Sequence, residues 1–140
     1  MMTSSLEIFI DGASKGNPGP SGIGVVIVEN GRNVKCVYRF IGHATNNIAE
    51  YSALISALEE GLILKAQSLS IKTDSELLHR QITRVYKVRN ANILGLYQQA
   101  QRLISAFERV SICHVPREQN AEADRLATQA VKEHLNQQSG

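Results

Sequence analysis

The spacing of apolar residues changes character once, near Thr45, and that change restricts the chain to few architectures. Before it, β-branched and apolar residues alternate in three short runs, Leu6 to Ile10, Ile23 to Val28 and Val34 to Ile41. The second and third are joined by Glu29-Asn30-Gly31-Arg32, and an Asn-Gly pair between two such runs predicts a tight antiparallel hairpin. The first run predicts a strand ending at Asp11, followed by the turn-rich Ser14-Lys15-Gly16-Asn17-Pro18-Gly19-Pro20. After Thr45, helical spacing takes over. Glu50, Leu54, Ala57 and Leu58 share one face, flanked by Ile55 and Leu62, so a helix is expected to about Leu64, capped by Thr or Asn at its start. Leu69, Ile71 and Thr73 alternate as a strand, and Asp74 or Ser75 can cap a helix through about Thr83. Ile93 to Phe107 reads as helix, Val110 to Val115 as strand, and Ala121 to about His134 as helix. The order is βββαβααβα. Three antiparallel strands followed by strands alternating with helices predict an α/β fold, a mixed sheet covered by helices.

A chain of 140 residues holds one such unit and leaves nothing for a second core, so residues 1–140 read as a single domain with 136–140 as a frayed tail. Hydrophobic residues at 43% and charged residues at 20% exclude a disordered or fibrous chain. No apolar run approaches the ~18 residues needed to cross a bilayer. The start, Met1-Met2-Thr3-Ser4-Ser5-Leu6-Glu7, lacks the basic and apolar blocks of a signal peptide, so a cytoplasmic protein without membrane contact is expected. Cys36 and Cys113 lie far apart and outside any CxxC pair, which supports neither a disulfide framework nor a zinc site; both are expected as small buried side chains.

Charge is segregated along the chain. No acidic residue occurs between Glu76 and Glu108, while Arg80, Arg84, Lys87, Arg89 and Arg102 fall there. The remainder holds 10 of the 15 basic residues against all 13 acidic ones, a balance of −3. Such a division suits a protein that grips a polyanion with one surface and holds cations with another, although a solvated basic helix face would give the same count.

Four carboxylates stand in unusual places: Asp11 at a strand end, Glu50 in a first helical turn, Asp74 at another strand end and Asp124 in the last helix. Glu50 shares a face with Leu54, Ala57 and Leu58, and Asp124 with Ala127 and Val131, the faces expected to turn inward. A buried carboxylate costs several kcal/mol unless charge compensates it, and no lysine or arginine is spaced to pair with each. Clustered carboxylates without basic partners are a site for hard divalent cations such as Mg²⁺. Taken singly, each acid has an ordinary explanation: a turn, a favourable charge at a helix N-terminus, a cap, an exposed helix position. Competing phosphate motifs are absent, because Gly12 to Gly19 carries no GK[ST], and Gly22-Ile23-Gly24 lacks a third glycine; nor is there a GxSxG elbow.

Asp11-Gly12-Ala13-Ser14-Lys15-Gly16-Asn17-Pro18-Gly19-Pro20-Ser21-Gly22-Ile23-Gly24, Thr45-Asn46-Asn47-Ile48-Ala49-Glu50, Thr73-Asp74-Ser75 and Asn120-Ala121-Glu122-Ala123-Asp124 together resemble the signatures of type 1 ribonuclease H, in order and over nearly the whole chain. The resemblance implies the ribonuclease H-like fold, a five-stranded mixed sheet with three antiparallel strands, then two parallel ones, flanked by helices. It implies an endonuclease that hydrolyses the RNA strand of RNA/DNA hybrids with two Mg²⁺ ions, or Mn²⁺ as substitute, leaving 5′-phosphate and 3′-hydroxyl ends.

By the same resemblance Asp11, Glu50, Asp74 and Asp124 are the catalytic metal ligands. Asn17, Asn47 and Ser75 contact the hybrid through its minor groove, where 2′-hydroxyls distinguish RNA. Thr45 contributes to a pocket for a DNA-strand phosphate. Asn17-Pro18 also reads as a turn, and Asn47 and Ser75 as caps. Two departures from the family pattern stand out. Only Val85-Tyr86-Lys87-Val88-Arg89-Asn90 separates the two central helices, where many bacterial members insert a basic helix and loop, so that handle is absent or vestigial, with Lys87 and Arg89 as the candidate substrate contacts there. The loop before the last helix holds Pro116-Arg117-Glu118-Gln119 where relatives often carry a catalytic histidine, which resembles archaeal members with arginine there. Arg117 is then a catalytic candidate, with pairing to Glu118 or Glu122 as its ordinary alternative, while His114 falls inside a strand pattern. A monomer is expected, with double-stranded RNA as a further partner. The alternatives are a non-catalytic module that binds hybrid or double-stranded RNA, and the nuclease domain of a reverse transcriptase; a methionine start favours a free-standing protein over the latter.

Overall fold

The computed structural model describes residues 4–139. The elements run β1 (Ser5–Ser14), β2 (Gly19–Glu29), β3 (Arg32–Ala44), α1 (Asn46–Ile63), β4 (Ser68–Thr73), α2 (Glu76–Ile82), α3 (Ala91–Ile104), β5 (Arg109–His114), a 3-10 turn (Arg117–Asn120) and α4 (Ala121–Ser139). The strands form one five-stranded sheet in the order β3-β2-β1-β4-β5. β1, β2 and β3 pair antiparallel, and β4 and β5 join β1 in parallel. The expected α/β order is thus the observed one. Asn30 and Gly31 take positive φ values of 51° and 78°, the conformation a two-residue hairpin between twisted strands requires.

Alternation along the strands sorts side chains to two faces. Leu6, Ile8 and Ile10 of β1 and Ile23, Val25 and Ile27 of β2 pack with Tyr51, Leu54 and Leu58 of α1 in the main core. Ile93 and Ala100 of α3 close the same core. On the opposite face, Val26 of β2 meets Ala123 and Leu126 of α4. Gly24 permits that contact, since a Cβ there would lie 2.2 Å from the Ala123 carbonyl oxygen. Helices thus cover much of both faces of the sheet, and the ends of β1 and β4 lie open between them.

Several expectations are corrected. β1 does not end at Asp11 but continues to Ser14, paired through Asp11↔Gly24, Ala13↔Gly22 and Ser14↔Ser21; small residues on both strands hide the alternation. Residues 105–107 lie outside α3, yet Phe107 is buried in the core. Leu62, expected beside the apolar face of α1, is 41% exposed in the helix's last turn. Neither cysteine is fully buried: Cys36 is exposed because β3 is an edge strand whose residues 32–36 are uncovered, and Cys113 is half-buried. α4 extends past His134 through Ser139.

Candidate active site

Sheet topology brings the acids together. Ile10↔Thr73 is the last parallel pair between β1 and β4, so Asp11 and Asp74 follow side by side where the two strands part. α1 begins just above them: the Thr45 hydroxyl caps the helix by accepting the Ile48 N–H at 3.2 Å, which sets Glu50 in its first turns. Gly12 lets α1 descend onto β1, since a Cβ would stand 2.4 Å from the Ala49 carbonyl carbon and 2.5 Å from the Glu50 nitrogen. Its own N–H donates to Glu50 Oε1 at 2.6 Å. Carboxylate oxygens of Asp11, Glu50 and Asp74 consequently lie within 4.8 Å of one another.

Asp11 and Glu50 are buried, 5% and 8% exposed. Burial pushes both carboxyl groups well above the usual carboxylate range. For Asp11 the Glu50 charge adds to burial, as do Asp124 and Asp74; for Glu50 the Gly12 N–H offsets part of the rise. Among the described residues the ion pairs are Lys35–Glu60, Lys72–Glu7, Arg80–Glu76 and Arg125–Glu122, so no cation neutralises the cluster. Crowded oxygens that repel one another, in a site holding no nitrogen or sulfur ligand, fit a hard divalent cation.

Asp124 corrects the inward-facing expectation. The buried stripe of α4 is Ala123, Leu126, Ala127, Ala130 and Val131, and Asp124 lies one position round the helix from it, exposed. That position turns its carboxylate to the cleft, which Asp124 lines with Asp11, Glu50, Asp74, Ser75 and Arg117. Arg117, in the 3-10 turn, pairs with neither Glu118 nor Glu122; Glu122 is held by Arg125 instead. Ser75 both caps α2, accepting the Leu78 N–H at 3.1 Å, and faces the acids. His114 is exposed at the end of β5, its Nε2 3.3 Å from the Asp74 carbonyl oxygen.

A second cavity of about 390 Å³ adjoins the start of α1 and gathers Asn17, Thr45 and Asn47. Asn17 Oδ1 accepts the Asn46 N–H at 3.0 Å, and Asn47 Nδ2 donates to Gln81 Oε1 at 3.4 Å. The cap is Thr45, so Asn47 is free of that duty, and its buried Oδ1 has no hydrogen-bond partner. Gln81, Asn90 and Asn92 line the same cavity. Sequence reasoning missed these three, for only the approach of α2 and α3 to α1 makes them neighbours of Asn47; Asn90 had the one local signal, as the cap of α3. Lys87 and Arg89 are exposed on the segment 83–90, outside the residues that line either cavity.

A β3-β2-β1-β4-β5 mixed sheet bearing carboxylates where β1 and β4 diverge defines a ribonuclease H-like protein. Residues 9–130 match the family described as reverse transcriptase-like. The chain is 42% identical over 126 residues to a bifunctional protein of Mycobacterium tuberculosis, covering 89% of this chain and 35% of that protein. It is 39% identical over 127 residues to ribonuclease HI of Halobacterium salinarum, covering 90% of this chain and 64% of that enzyme. The crystal structure of RNase H1 from that archaeon superposes with a TM-score of 0.91 at 37% identity, covering 93% of this chain and 99% of that one. LC11-RNase H1, solved in complex with an RNA/DNA hybrid, gives a TM-score of 0.88 at 36% identity over 93% of this chain and 99% of that one. The chain belongs to the type 1 ribonuclease H family. It spans about a third of the mycobacterial relative's length and under two thirds of the archaeal one's.

Proposed function

We propose that the protein is a divalent-metal-dependent endonuclease that hydrolyses the RNA strand of RNA/DNA hybrids, leaving 5′-phosphate and 3′-hydroxyl ends. The observation that carries this reading is the cluster of Asp11, Glu50 and Asp74, with oxygens within 4.8 Å and no cationic partner, open to a cleft that Asp124 and Arg117 also line. The four carboxylates would hold Mg²⁺ or Mn²⁺. When bound, two such ions supply charge for an in-line displacement at phosphorus, activating water and stabilising the leaving 3′ oxygen. Within the protein, the Gly12 N–H fixes the Glu50 carboxylate. Arg117 cannot serve as a base, since a guanidinium keeps its proton, and instead offers fixed positive charge to the scissile phosphate or the departing product. Asn17, Asn47 and Ser75 would meet the minor groove and its 2′-hydroxyls, Thr45 a DNA-strand phosphate, and Lys87 and Arg89 outer phosphates. The protein would act as a cytoplasmic monomer, with double-stranded RNA as a further partner.

Matched RNA/DNA, RNA/RNA and DNA/DNA duplexes incubated with Mg²⁺, Mn²⁺ or EDTA test this. Cleavage of the hybrid's RNA strand, dependent on metal and lost in Asp11→Asn, is expected. An uncut hybrid in both metals, with binding retained, would turn the assignment to a non-catalytic binding module.

A further inference from the structure

The acidic cleft does not close behind Asp124. It shares Ala13 and Ser14 with a groove of about 280 Å³ between the end of β1 and α4, lined also by Lys15, Thr128, Val131 and Lys132. A shallow depression that contains Asp124, Thr128 and Lys132 joins the two along the outer side of the helix. These three residues stand four apart in α4, so they form one stripe on its surface, ~12 Å from first to last. That is roughly three base-pair steps of a duplex, measured along its axis at ~3.4 Å each.

The stripe changes chemistry along its length, from carboxylate at Asp124 through the Thr128 hydroxyl to the Lys132 ammonium, with Lys15 on the facing wall. Neither lysine has an acidic partner within ion-pair distance among the described residues. Ala13 and Val131 supply an apolar lining between them. Two unpaired ammonium groups over an apolar lining suit a polymer in which apolar sugar faces alternate with phosphates, and long lysine stems can lie on such a surface while their heads reach the charge.

We infer that the RNA strand whose phosphate lies at the carboxylates continues along this groove, with Lys15 and Lys132 each neutralising one flanking phosphate. The inference rests on the nuclease reading above and deepens it, by naming which strand runs over α4.

The test uses the full chain carrying Asp11→Asn, so that hybrid is bound without being cut, compared with the same chain carrying Lys15→Ala and Lys132→Ala as well. Binding is measured against salt concentration. Two lost phosphate contacts should lower the slope of log affinity against log salt by about 1.8. Replacing RNA-strand phosphates by uncharged methylphosphonates should erase the difference between the two proteins, whereas the same replacement in the DNA strand should preserve it. Equal slopes for the two proteins on unmodified hybrid would overturn the inference. So would a difference that survives in the RNA-neutral hybrid and vanishes in the DNA-neutral one, which would place the lysines on the other strand. Failure of the nuclease reading looks different: the unsubstituted protein would leave hybrid uncut in Mg²⁺ and Mn²⁺.

Discussion

Replacing Asp11 by Asn should stabilise the metal-free protein. Asp11 is buried, and its oxygens lie within 4.8 Å of those of Glu50 and Asp74. At an effective dielectric constant near 20, each fully ionised pair at that separation repels by about 3 kcal/mol. The protein escapes part of this by keeping protons on Asp11 and Glu50, both of whose folded-state affinities are raised by burial and like charge. The unfolded chain releases those protons near pH ~4. Above that pH the folded state binds more protons than the unfolded one, so stability falls as pH rises towards the raised folded values. An amide keeps the shape and carries no charge. We therefore expect Asp11→Asn to match the parent near pH 4 and to exceed it by about 1–3 kcal/mol at pH 8, a rise in melting temperature of roughly 3–9 °C. Thermal unfolding followed by circular dichroism in EDTA at both pH values reads this directly. Saturating Mg²⁺ should narrow the gap, because it stabilises only the species that binds it. Melting of Asp11→Asn at or below the parent temperature in EDTA at pH 8 would refute the claim that the cluster is electrostatically frustrated without metal.

Three further outcomes are expected. Arg117→Ala should slow single-turnover cleavage about tenfold, roughly 1.4 kcal/mol of barrier, with Mg²⁺ affinity by calorimetry little changed; an unaltered rate would remove Arg117 from the site. Gly12→Ala should destabilise the fold by about 1–3 kcal/mol or more in urea melts, since the new Cβ would press on the α1 backbone at 2.4 Å and displace Glu50; a neutral effect would show that α1 can lift freely. Charge reversal of Lys87 and Arg89 together should weaken hybrid binding at low salt and leave the cleavage step itself intact, and full binding would exclude the 83–90 segment from the interface.

Much of this architecture was legible in the chain because it depends on local physics. The Asn30-Gly31 hairpin, the Thr45 and Ser75 caps and the alternation of Leu69, Ile71 and Thr73 are encoded within a few residues each, and the strand and helix order follows from them. The carboxylates stood out by a conflict also visible in the sequence, charge placed at strand ends or within helical turns without a basic partner. Segments built from Gly, Ala and Ser carry no such signal, so the continuation of β1 to Ser14 is set by its pairing with β2 and has no local pattern.

What the sequence by itself determined was therefore the element order, the fold class and the presence of acidic residues at strand ends and in helical turns without a basic partner. Only the tertiary structure decided that Asp11 is buried while Asp124, unlike Glu50, does not share the burial expected of it and lies exposed at the cleft, that Cys36 is uncovered on an edge strand, and that Gln81 and Asn90 come to share a cavity with Asn47. The physical reason is that periodicity gives the angle of a residue about its own helix or strand, whereas burial depends on which neighbouring element covers that angle and how far it extends. Gly12 and Gly24 set those distances here, by admitting backbone where any side chain would collide.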